Sequence, residues 1–147
     1  SLFTRSRRTA SPPLNSSVSQ VIQVMHRYDP ERAPNAAEWL ALDEQGRISL
    51  AEKYHRAERI RLPNIKMHAI VHVVVENRIA EGHQPVVRAM TRLTLAGLSR
   101  HEALHAIGSV LAEHLFDVFH DESAAGDPMV KYDAAVERLT AEGWRRG

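Results

Sequence analysis

Apolar residues recur along this chain at the three- and four-residue intervals of helices that turn one face to a core, and they divide it into a succession of predicted helices. Val21, Ile22 and Met25 place a first helix over Val18 to Tyr28, halted by Asp29 and Pro30. Trp39, Leu40 and Leu42 mark a short second one from Asn35 to about Gln45, with Gly46 supplying the left-handed conformation that closes it. Ser49 and Glu52 read as a capping box opening a third, which continues to about Arg61 before Pro63. Pro85 suits the first turn of a helix through Gly97 that carries Val86, Met90, Leu93 and Leu95. Ser99 and Glu102 form a second capping box, opening the longest helix, with Leu104, Ile107, Leu111, Leu115, Phe116 and Phe119 reaching to His120. Asp127 and Pro128 start the last, which uses Tyr132, Val136 and Leu139 and stops at Gly143.

The segment Ile65–Glu81 is the one place where strand and helix compete, because Ile70, Val71, Val73, Val74 and Val75 are β-branched. Seventeen residues without Gly or Pro are too long for an ordinary strand, and His68, His72 and Glu76 fall on one helical face. The choice decides the chemistry. In a strand His68 and His72 would stand about 13 Å apart, whereas on a helix their Cβ atoms are about 5–6 Å apart on one face.

These elements predict an all-α, single-domain bundle of about six helices over residues 17–147, preceded by a flexible basic tail over residues 1–16. The tail is rich in Ser, Arg and Pro, and its first residue, Ser rather than Met, reads as a trimmed start. A formal net charge of +1 supplies no electrostatic footprint for nucleic acid or an anionic membrane. No apolar stretch is long enough to span a bilayer and nothing resembles a signal peptide, so the expected location is cytoplasmic. Cys is absent, which excludes disulfides, thiolate ligands and cysteine nucleophiles and leaves His, Asp, Glu or water to hold any metal.

Two histidine pairs at a spacing of four, His68 with His72 and His101 with His105, lie in the two most apolar stretches, and Glu76 extends the first series by another turn. Such pairs present two imidazoles to one ion, and a buried imidazole left unpaired costs about 1–3 kcal/mol, which ligation removes. His68, His72, Glu76, His101 and His105 are therefore the candidate metal ligands. Imidazole and carboxylate donors suit zinc first, with iron, manganese, nickel and copper as other choices. A set of four imidazoles closes a structural site; three protein ligands and a water leave a hydrolytic one.

The segment HEALH at 101–105 matches the zincin pattern HExxH, but Glu102 is already accounted for by the capping box with Ser99, and Leu111 stands where the longer form of the motif has its third histidine. A di-metal carboxylate bundle needs Glu-x-x-His on two helices and a lone Glu on two others. Glu52 with His55, Glu102 with His105, and the single Glu76 and Glu113 supply that count, which makes His55 and Glu113 secondary candidates. His114 should point away from His101, and His26, His83 and His120 read as surface residues. No phosphate loop, nucleophile elbow or aromatic stacking platform occurs.

Tyr54, His55, Asn64, His68, His72, Glu76, Pro85, Arg88, His101, His105 and Glu113 together resemble the pattern of an uncharacterised bacterial all-helical family, domain of unknown function 1841. The resemblance covers about two-fifths of the chain, departs from the family at Ser109, where an acidic residue is frequent, and implies a metal centre without an activity. The expected function is a metal-binding helical protein holding one or two divalent ions. The alternatives are a non-catalytic interaction module that forms a homodimer, and an HExxH-type zinc hydrolase.

Overall fold

The computed structural model describes residues 27–59, 64–120 and 128–147. Among them there are seven helices and no strand: α1 (Ala36–Ala41), α2 (Glu44–Ala57), α3 (Ile65–Ala80), α4 (Gln84–Leu95), α5 (Arg100–His120), α6 (Pro128–Arg138) and α7 (Ala141–Arg146). The expected tail and most of the expected helix over 18–28 lie outside the described residues; Arg27 and Tyr28, at its end, are not helical. None of the helices is long and apolar enough to cross a membrane.

Helix α3 is the axle of the fold, packing against α1, α2, α4 and α5. That position explains its β-branched content: a helix with neighbours on several sides needs apolar residues around most of its circumference. Ala69 and Val73 join one core cluster with Tyr28, Trp39, Ile48, Leu50 and Ala51. Val75 joins the other, built from α4–α7 around Leu93, Leu104, Ile107, Tyr132 and Val136. The side chains of Leu115, Phe116 and Phe119, expected to contribute to the core, lie outside the described residues.

Local chemistry corrects three expected boundaries. Asp43 opens α2 by accepting the Gly46 N–H at 2.7 Å, so Gly46 belongs to the first turn of a helix rather than the close of one. Ser49 and Glu52 then fall mid-helix, Ser49 is exposed, and Glu52 pairs with Arg56 at 3.2 Å instead of capping. The last predicted helix is two: Thr140 breaks it and caps α7 by accepting the Gly143 N–H at 3.0 Å, so Gly143 lies inside a helix that was expected to end there. The Ser99–Glu102 capping box forms as expected, with Glu102 N–H donating to Ser99 Oγ at 3.1 Å and Ser99 N–H to Glu102 Oε2 at 3.4 Å. Gly97, at φ +100°, follows α4 in a conformation that a side chain would strain.

Two arginines tie helix ends to neighbours. Arg47 donates to the carbonyls of Trp39, Leu40 and Leu42, satisfying acceptors left over at the end of α1, and also to Asn77 Oδ1, which receives the Trp39 indole N–H at 2.9 Å. Arg92 does the same for α6 through Val136 and Leu139. Helices α3 and α5 touch at Gly108, where an added Cβ would come within 2.7 Å of Val71 Cγ1. That close approach brings two histidine-bearing helices within reach of each other.

Candidate metal centre

Because α3 is helical, His68 and His72 share a face, and their Nε2 atoms stand 3.2 Å apart. His105 enters from α5, one turn before Gly108, and places its Nε2 at 3.1 Å from that of His68 and 3.0 Å from that of His72. The three nitrogens thus form a nearly equilateral triangle. A neutral imidazole offers one N–H and one lone pair, so three such nitrogens cannot all be satisfied by hydrogen bonds among themselves. Donors bound at about 2.0–2.1 Å stand about 3.4 Å apart at tetrahedral angles to an ion and about 2.9 Å apart at right angles. The observed edges fall between these values, so one ion above the triangle meets all three.

A fourth histidine, His55 on α2, completes a group in which one ring nitrogen from each histidine lies within 4.8 Å of the others. It is fully buried. Its Nδ1 lies 2.6 Å from the Ala51 carbonyl, which can only accept, so Nδ1 carries the proton and Nε2 the lone pair. That Nε2 is buried and has no hydrogen-bond partner, the condition of a nitrogen prepared for a cation. Its ring centre is 4.6 Å from that of His68 and 4.8 Å from that of His72.

His101 stands beside the group rather than in it. Its ring packs 4.3 Å from that of His105 and 5.2 Å from that of His72, and its own Nε2 is buried without a partner. Glu76, although on the histidine face of α3, is turned to Arg100: the guanidinium grips both carboxylate oxygens, at 2.5 and 3.0 Å, and Arg100 also donates to the Pro30 carbonyl. The Tyr28 hydroxyl lies 3.2 Å from His72 Nδ1 and also meets Glu76. A chain of polar contacts therefore runs from His72 through Tyr28 to the buried Glu76–Arg100 pair.

Burial, followed by the mutual proximity of the rings, disfavours the charged forms of His68, His72 and His105. It lowers His72 to about 2 and His105 to about 4, and moves His68 down as well. His101 is lowered by burial against the opposing pull of Glu31. The Tyr28 phenol is pushed well up by burial and by the charge of Glu76, so it stays protonated and able to donate.

The remaining candidates sit elsewhere. Glu102 is exposed and bonded in its capping box, Glu113 is exposed, and neither belongs to the group. His83 is half-buried against Asp133 at 2.8 Å rather than freely exposed, and His114 packs near Tyr132. His26 and the side chain of His120 lie outside the described residues. No family model, curated protein or solved structure matches the chain.

Proposed function

We propose that this is a metalloprotein that binds one divalent transition-metal ion through Nε2 of His68, His72 and His105, with His55 as the fourth imidazole. The observation that supports this most directly is the triangle of three Nε2 atoms with edges of 3.0–3.2 Å, backed by the orphaned Nε2 of His55. Zinc is the preferred ion. Nickel, copper and iron accept the same donors, whereas manganese favours oxygen ligands that this group lacks. Glu76 belongs to the outer shell in this reading, orienting His72 through Tyr28, and His101 packs against the ligands without joining them.

The ion sits between three helices and faces a cleft on the side of His68, His72 and His105. With four imidazoles the ion has an accessible position only by taking a fifth ligand on the cleft side, away from His55. An ion that expands its shell in that way lowers the pKa of bound water and polarises a bound oxygen, so Lewis-acid chemistry is the activity class that fits. The residues that carry the resemblance to the bacterial all-helical family include Tyr54, His55, Asn64, His68, His72 and His105, which converge here, and we retain that kinship as part of the proposal.

The test is metal stoichiometry in untagged protein, measured by elemental analysis and by zinc titration of the chelator-treated chain. We expect one equivalent, lost in His72→Ala and His105→Ala but kept in His101→Ala, with helical content followed by circular dichroism. A wild-type protein that keeps its fold and binds no stoichiometric zinc, nickel, copper or iron overturns the reading.

A further inference from the structure

The triangle of nitrogens is reached from outside through a cleft of about 490 Å³, of the size that accommodates small organic ligands. Its walls are apolar: Met67 and Val71 from α3, Leu104 and Ala112 from α5, and Trp144 from α7. Apart from His68, His72 and His105, its polar lining among the described residues consists of Asn64 and Ser109, and includes no Asp, Glu, Lys or Arg.

This combination has an electrostatic consequence. Carboxylate or thiolate ligands would cancel part of a divalent cation's charge, but the group contains only neutral imidazoles, so both positive charges remain. Among the described residues no acidic side chain of the cleft offsets them. In a pocket with apolar walls, where charges interact more strongly than in water, such an ion attracts an anion and repels a cation. The apolar walls meanwhile reward hydrocarbon.

Resting on the metal reading above, we infer that the cleft binds a small organic monocarboxylate with an apolar tail. The carboxylate enters as a fifth ligand on the cleft side of the metal, and the tail lies along Met67, Val71, Leu104, Ala112 and Trp144. An amine of the same length is excluded by charge. A short anion such as acetate reaches the ion but forgoes the walls.

Cobalt(II), loaded in place of zinc on the full chain, makes the metal shell visible through its d–d absorption. Hexanoate should shift those bands saturably, at a half-saturating concentration at least about tenfold below that of acetate, while hexylammonium leaves them unmoved. Ala112→Glu introduces a negative charge at an exposed cleft position two helical turns past His105, too far along the helix to ligate the ion. It should raise the hexanoate value at least about tenfold and leave cobalt stoichiometry unchanged. A protein that takes up one cobalt yet responds to hexanoate no better than to acetate, or responds equally to hexylammonium, overturns the carboxylate proposal and leaves the metal centre standing. Failure to take up cobalt, zinc, nickel, copper or iron overturns both.

Discussion

The hydroxyl of Tyr28 lies 3.2 Å from Nδ1 of His72, on the side of the ring opposite the nitrogen that faces His68 and His105. With Nε2 committed to an ion, Nδ1 must carry the proton, and Tyr28 is the acceptor that fixes that tautomer. Tyr28→Phe keeps the ring and its packing but removes the oxygen. We expect zinc affinity to fall by about 10–100-fold with the stoichiometry still one, as read by competition with a chromophoric chelator.

Helix spacing at the centre depends on Gly108, where a methyl group would come within 2.7 Å of Val71 Cγ1. Gly108→Ala forces Val71 or α5 itself to give way, and a displaced α5 carries His105 from its partners. Zinc binding should weaken by at least about tenfold, and unfolding should become easier by about 1–3 kcal/mol in a urea titration. A replacement without either effect would show that the helix approach does not govern the centre.

The metal-free protein should be acid-sensitive. Burial holds His72 at about 2 and His105 at about 4, below the value near 6.5 of an unfolded chain. Between those limits the unfolded state binds protons that the folded state refuses, so the stability present above pH 6.5 is lost as the pH falls towards the folded values. Each ring contributes a slope of about 1.4 kcal/mol per pH unit while only the unfolded form is protonated. Urea midpoints of the chelator-treated protein at pH 7.5, 6 and 5 should decrease in that order, and a flat series would contradict the neutral, buried cluster.

Arg100 and Glu76 form a buried, two-pronged ion pair. Arg100→Met leaves the carboxylate of Glu76 buried without its counter-ion and should cost about 3–5 kcal/mol of stability. The double variant with Glu76→Gln should recover much of that loss, because both charges are then gone. Chemical denaturation of the two variants checks the difference.

The histidine pairs were readable because a spacing of four has the same meaning on any helix, and α3 is a helix despite its valines. His55 is only a secondary candidate in the sequence because the apparent capping box of Ser49 and Glu52 already accounts for the glutamate of its Glu-x-x-His pair. The true start at Asp43 makes Ile48, Ala51 and His55 one buried stripe, and that stripe was the available signal. Glu76 illustrates the opposite difficulty. Its register is that of a ligand, but spacing within α3 carries no information about Arg100 on another helix, and the guanidinium takes the carboxylate. His101 likewise shares a helix with His105, yet only three-dimensional placement distinguishes the nitrogen that meets α3 from the one that packs beside it.

Donors drawn from positions 55, 68, 72 and 105 belong to three different helices, so a bound ion would act as a reversible cross-link closing a long stretch of chain. Its release would lengthen the tether between α2 and α5 without breaking a covalent bond, and protease nicking between those helices would then report occupancy directly.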